Sequence, residues 1–193
     1  MPTTQIMNGI IYGTKLITLQ QLEIDGSLPS PIPDILRITN TLEIPMQSLI
    51  EQGERVIDKA DGVGVIGIHE EDDTLLGVDM EIGLNKFDLN LIYNIFGGTL
   101  SLDENNKITG LQLPSITEQR NNPKRFQVDV YIPSLQYGQL EGYIRHRFPY
   151  CKGILKDIKH PFRNFSGYSL LIKARPHPQT GCIHNIDFVI TLP

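Results

Sequence analysis

The chain has 193 residues, 40% hydrophobic and 20% charged, which suits one large domain, alone or with arms, and excludes a disordered chain. Its net charge of −5 excludes a protein that reads nucleic acid with its whole surface by electrostatics. No basic n-region with an apolar h-region opens the sequence, and no apolar run is long enough to span a bilayer, so the expectation is a cytosolic chain with no membrane partner.

Residues 15–19 read as a short apolar strand. Residues 20–40 hold Gly26, Ser27, Pro29, Ser30, Pro31 and Pro33, and prolines at every second position cannot sit in a central strand. That segment reads as an extended loop or arm, and loops of such length are often functional. Residues 62–69 read as a strand whose glycines mark bulges or close backbone contacts. Glu70, Glu71, Asp72 and Asp73 separate two apolar runs and read as a hairpin tip. Leu76, Val78, Met80, Ile82 and Leu84 then alternate with Gly77, Asp79, Glu81 and Gly83, the period of a half-buried strand.

The period changes over 85–98. Leu89, Ile92, Tyr93 and Phe96 fall at i, i+3, i+4 and i+7, the apolar stripe of a short helix. Asn85 is the expected N-cap, Asp88 favours the positive end of the dipole, and Gly97 and Gly98 supply the left-handed stop. Asp103-Glu104-Asn105-Asn106 is the next turn, before a strand over 107–113. Further strands fall at 126–132, 139–148, 153–158 and 168–174. Pro176, Pro178 and Gly181 bracket another turn. The last strand carries His184, Ile186, Phe188, Ile190 and Leu192 on one face. Short turns between sequence neighbours predict antiparallel pairing. The fold class expected is mainly β, an antiparallel β-sandwich or partial barrel with one short flanking α-helix over a sheet edge or barrel end.

Little in the spacing points to catalysis. Cys151 and Cys182 form no CxxC pair and read as reduced core thiols. None of the five histidines belongs to an HxH or HExxH pattern, and His146 and His184 fall on apolar strand faces, as core histidines do. No spacing supports a nucleophilic set around Cys151. Four adjacent carboxylates at 70–73 point in alternating directions and lack the Gly and distal Glu of a calcium loop, so no metal or cofactor is expected there. A solvated turn is the first reading of that run, and contact with a basic patch on a neighbouring copy the second. The basic residues Arg145, Arg147, Lys152, Lys156, Lys159 and Arg163 interleave with Phe148, Tyr150, Phe162 and Phe165, as nucleic-acid stacking platforms would. The aromatics fit the core side of strands equally well, which favours a subunit interface or a solvated face.

Charge is split along the chain. Residues 1–119 carry 18 acidic and 6 basic residues, a balance of −12, and residues 120–193 carry 4 and 11, a balance of +7. Copies that meet head to tail can use such a split to fix register and orientation. The candidate self-association residues are therefore Glu70, Glu71, Asp72 and Asp73 against Arg145, Arg147, Lys152 and Lys156.

The order of pieces carries a resemblance. Gly62-Val63-Gly64 leads to Leu75-Leu76-Gly77-Val78-Asp79-Met80, and a short helix from Phe87 to Phe96 stops at Gly97-Gly98. Then come Phe126-Gln127-Val128-Asp129-Val130-Tyr131 and Arg147-Phe148-Pro149-Tyr150-Cys151-Lys152-Gly153, and a final strand Ile186 to Leu192 closes on Pro193. This looks like a major tail (tail tube) protein of tailed bacteriophages, over residues 41–193, with 1–40 as an N-terminal arm and Pro-rich loop. Residues 35–61 depart from the family pattern, which leaves open which strands face a lumen.

The resemblance implies subunits that close into hexameric rings and stack into a tube, with an acidic lumen through which the genome passes. It implies a virion protein assembled in the host cytoplasm. Its partners would be copies of itself, a tape-measure protein, tail terminator or baseplate proteins and, in a contractile tail, a sheath. DNA would only pass through. The 20–40 loop and the residues before Lys15 would bridge rings. No catalysis and no cofactor are implied. The alternative is a binding β-sandwich of a baseplate or receptor-binding apparatus, against which the absence of tryptophan counts where sugars are concerned. A thiol hydrolase using Cys151 is the third reading.

Overall fold

The computed structural model describes residues 4–39, 43–52, 55–60, 64–70, 72–84, 88–115, 117–118, 123–136, 138–159 and 167–193. In chain order the elements are β1 (Thr4–Tyr12), β2 (Leu16–Leu22), β3 (Leu36–Thr39), β4 (Glu43–Glu51), β5 (Arg55–Ala60), β6 (Gly64–Glu70), β7 (Thr74–Leu84), α1 (Leu89–Phe96), β8 (Thr99–Leu102), β9 (Ile108–Gln112), β10 (Arg125–Gln136), β11 (Gln139–Lys159), β12 (Gly167–Ala174) and β13 (Asn185–Val189). The protein is mainly β, as the alternation predicts, and its described strand pairs are antiparallel.

One nine-stranded sheet dominates, in the order β1-β4-β7-β12-β11-β10-β2-β3, with β13 also pairing β11. The long β11 organises it. One edge pairs β10 through residues 139–151. The other edge is shared: β12 pairs residues 151–159 and β13 pairs residues 143–147. The 175–184 connection therefore interrupts what is nearly one long strand. The expected separate strands at 139–148 and 153–158 are this one element. The register shift between Phe126 and Val128 absorbs Pro149-Tyr150 as a bulge, so the proline bends the strand without ending it.

Cross-strand rows build the core. Leu36, Leu19, Val128 and Phe148 form one row, and Ile38, Ile17 and Val130 the next. Val78, Ala174, Cys151 and Phe126 form a third. Nearly all are buried in a single cluster with Met80, Ile82, Ile172 and α1. Ile95 of α1 settles over Gly153, where an added Cβ would lie 2.3 Å from the Ile95 side chain.

The helix is shorter than expected and turned. Asp88, not Asn85, caps it, accepting from the Asn90 and Leu91 amides at 2.9 and 3.2 Å. Asn85 lies outside the described residues. The fully buried side chains are Leu91, Ile92 and Ile95; of the expected stripe Ile92 is buried, Phe96 packs partly buried against the core, and Leu89 and Tyr93 are half-buried. Two overlapping apolar stripes exist in the sequence, and the approach of Gly153 selects the other. Gly97 ends the helix, its amide donating to the Tyr93 carbonyl, at φ 76° and ψ −157°, a positive-φ glycine but not the left-handed helical conformation expected.

The acidic run is not a hairpin tip. β6 pairs β5, whereas β7 pairs β4 and β12, so Asp72 and Asp73 sit where one long ribbon continues from β4–β7 into β5–β6. The turn at Asp103 forms as expected, its carboxylate accepting from the Asn105 and Lys107 amides. Residues 1–40 contribute β1, β2 and β3 to the main sheet, and the Pro-rich part is the connection 23–35. β4 lies in the 35–61 stretch where sequence reading assigns no strand, and it contains Pro45. That proline pairs Ile10 of β1, while β7 joins β4 only from Met46 onward, so no β7 ladder bond is lost at Pro45.

Candidate self-association surface

Arg145 and Arg147 are engaged within their own chain. Asp129, 4% exposed, pairs Arg147 in register, and the guanidinium donates twice to it at 3.0 Å. Gln127 donates to the same carboxylate at 3.2 Å and Tyr131 at 3.4 Å. Arg145 lies 4.0 Å from Asp129 and donates two hydrogen bonds to Asp187 of β13. Arg145 holds the Asp187 carboxyl below its ordinary range, and burial beside Asp129 pushes the Tyr131 phenol up. These arginines fasten β10, β11 and β13 together on the face away from the core.

Lys152 differs. Its direct partner across β11–β12 is Lys173, which pairs Asp79 of β7. Asp79 also accepts from Arg175 at 2.7 Å, with Lys173 at 3.7 Å. One carboxylate thus serves a row of cations. Burial, then Arg125, Lys173 and Arg175, lower the Lys152 pKa. This is the basic patch of the molecule, and of the four predicted basic residues it holds Lys152. Lys156 lies in β11 with its side chain outside the description, as does that of Glu70. Glu71, His160, Phe162, Arg163 and Phe165 lie outside the described residues. Asp72 and Asp73 are exposed. No group of three or more metal-ligating side chains occurs among the described residues.

The sequence reading underrates the exposed aliphatics. Ile186, Phe188 and Ile190 are 62%, 53% and 76% exposed, although their alternation predicts a half-buried strand. The row Ile132–Ile144–Phe188 is in register, and it continues the core face beyond the last side chains that cover it. Phe188 crosses Gly142, where a Cβ would lie 2.5 Å from its ring. A second set lies on the 23–35 connection: Ile24, Leu28, Ile32 and Ile35, 39–66% exposed. The signal available in sequence was aliphatics interleaved with prolines. This connection is pinned at its base. The Tyr150 hydroxyl donates to the Ile24 carbonyl at 2.6 Å and accepts from Arg125 at 3.0 Å. His177 packs on Gly26 and, edge-on, against Tyr150.

His146 and His184 meet on the apolar face, Nδ1 to Nε2 at 3.1 Å, and His184 stacks on the buried Phe148. Burial lowers the pKa of both, and His146 lowers that of His184 further. Cys151 is buried, and burial pushes its thiol far up, so no thiolate is present at neutral pH. Cys182 is half-buried, outside the core expected for it, in the connection before β13. Comparison with family models and with curated proteins finds no match.

Proposed function

We propose that this chain is a structural subunit that assembles with copies of itself, and specifically a tail-tube subunit whose hexameric rings stack around a lumen that conducts a genome. The observation that carries the self-assembly is the uncovered apolar surface. Fifteen large hydrophobic side chains stand exposed among the described residues, several on the continuation of the core face, more than a solitary subunit has reason to leave in water. The tail-tube form rests on the resemblance over 41–193 and is supported by a mainly β, antiparallel fold with one short helix. On this reading the protein sits in a virion tail, with tape-measure, terminator or baseplate proteins as neighbours. Among the described residues no helix is long and apolar enough to cross a membrane. The proposed role needs no catalytic group.

Negative-stain electron microscopy over a concentration series tests it. Rings or tubes with a central hole are the expected result. A monodisperse monomer at every concentration overturns the reading.

A further inference from the structure

Four cations crowd one patch on the face of the sheet away from the core. Cys151, Ala174 and Val78 form a core row, so their chain neighbours Lys152, Lys173 and Asp79 form the adjacent row on the opposite face. Arg125 precedes Phe126, the partner of Cys151, and so falls beside Lys152. Arg175 follows Ala174, its amide donating to the Tyr150 carbonyl at 3.0 Å. Like charges directly opposite across a ladder are destabilising, and Lys152 faces Lys173 in that way. Among the described residues, Asp79 is the one carboxylate within ion-pair distance of any of the four, and it reaches Lys173 and Arg175. Lys152 is exposed beside them. We propose that this patch binds a compact phosphoryl oxyanion, a phosphate group or short polyphosphate, held by Lys152 and Lys173 between the guanidinium groups of Arg125 and Arg175. The site is independent of the self-assembly reading.

Three observations select that class of ligand. The first is charge and its placement. Burial, then Arg125, Lys173 and Arg175, lower the Lys152 pKa, so three cations act on one exposed ammonium. A multivalent anion at that point relieves all of them. The second is preorganisation. Arg125 donates to the Tyr150 hydroxyl at 3.0 Å and to the Lys124 carbonyl at 3.3 Å, and lies 5.3 Å from the centre of the Tyr150 ring. Arg175 donates through one nitrogen to Asp79 and to the Ala174 carbonyl, each at 2.7 Å. Two held guanidinium forks, matched in shape to phosphate oxygens, thus flank the lysines. The third is extent. On one side the patch ends at Asp79, with Glu81 two residues along β7 on the same face. On the other, Arg125 pairs Leu22, and exposed Glu23 and Asp25 follow it in the chain. A long polyanion would run onto these carboxylates, whereas a compact one stays among the cations. The Tyr150 ring, already engaged by Arg125 and edge-on by His177, is a poor stacking platform for a base.

Calorimetric titration with sodium tripolyphosphate, at a constant ionic strength of about 0.15 M, tests the site. The wild type should show one saturable site per chain and a thermal midpoint that rises with ligand, as binding to the folded state alone requires. Lys152→Glu and Lys173→Gln should each weaken binding at least about tenfold, the loss of one charge-assisted contact. Lys107→Glu, exposed at the Asp103 turn, changes the net charge as Lys152→Glu does and should bind like the wild type. Circular dichroism establishes that each variant folds. Absence of saturable binding to the wild type overturns the proposal. Equal weakening by Lys107→Glu and Lys152→Glu would show an effect of net charge alone and also overturns it. A single-stranded oligonucleotide of about 12 nucleotides that binds where tripolyphosphate does not would make the patch a nucleic-acid surface and overturn the compact ligand. None of these outcomes depends on whether the chain assembles into rings.

Discussion

Asp129 holds the outward face together, and its neighbours show how much rests on one carboxylate. Asp129→Ala leaves Arg147 without its bidentate partner and removes the carboxylate to which Tyr131 donates, while Arg145 keeps Asp187. Arg147 is partly exposed and recovers some hydration, so the cost falls below that of a fully buried pair, at about 2–3 kcal/mol. Urea unfolding of the variant measures it, and a loss below ~0.5 kcal/mol would show the network to be dispensable. The His146–His184 pair governs the response to acid. Both pKa values fall below the ordinary 6.5 on folding, so the unfolded chain binds more protons near that pH and stability rises with pH. The contribution is present above pH ~6.5 and is lost as pH falls through that value towards the folded pKa values. Double substitution to Gln should flatten unfolding midpoints between pH 7 and 5, and an unchanged slope would assign the acid sensitivity to other groups. Sequence placed both histidines on apolar faces but could not pair them, because the β11–β13 register that brings them together is not a local property.

At the scale of elements, α1 depends on a glycine of β11, the fourth strand after it in the chain. Gly153→Ala puts a methyl group 2.3 Å from Ile95, so the helix must lift or the side chain leave its rotamer. Overpacking of that kind costs about 1–3 kcal/mol, and the expected signature is a lower thermal midpoint with far-UV helical signal lost first. An unshifted midpoint would mean that α1 is not held against β11. The same contact explains what was legible. Period-two alternation located β7 and β10 because their faces are buried by residues at fixed spacing. The existence of α1 and its end at Gly97 followed from a change of period and a pair of glycines. Its rotation did not, since Leu91, Ile92 and Ile95 compete with Leu89, Ile92, Tyr93 and Phe96, and only packing on Gly153 decides. The 70–73 run misled for a related reason: charge marks where a chain meets water, at a tip or at a bend in a ribbon alike. In β13 the alternation was correct while its implication of burial was not, because the cover for that face does not come from the same chain's described residues.

For the whole molecule, the charge split along the sequence is partly cancelled by the fold. β7 of the acidic part pairs β12 of the basic part, which brings Asp79 to Lys173 and Arg175. What survives is local: a cation row through Arg125, Lys152, Lys173 and Arg175 that shares the single Asp79 carboxylate. The two kinds of surface act differently. On the self-assembly reading proposed above, apolar burial would supply the association energy and change little with moderate salt, whereas exposed charges would steer encounter and are screened beyond a Debye length of about 8 Å at physiological ionic strength. Assembly should therefore weaken only several-fold between roughly 50 and 500 mM NaCl, in contrast to the loss expected for a contact held by charge alone. Lys152→Glu separates the terms. A carboxylate opposite Lys173 replaces a like-charge pair with an opposite-charge one and stabilises the subunit by up to about 1 kcal/mol. It also reverses the charge at a cation that an acidic neighbour would meet on the self-assembly reading, so the salt slope of association would shrink while the fold strengthens. Sedimentation velocity at several salt concentrations, beside thermal unfolding of the same variant, reads both. Increased stability with an unaltered salt slope would confine the cation row to the subunit and leave assembly to the apolar contact.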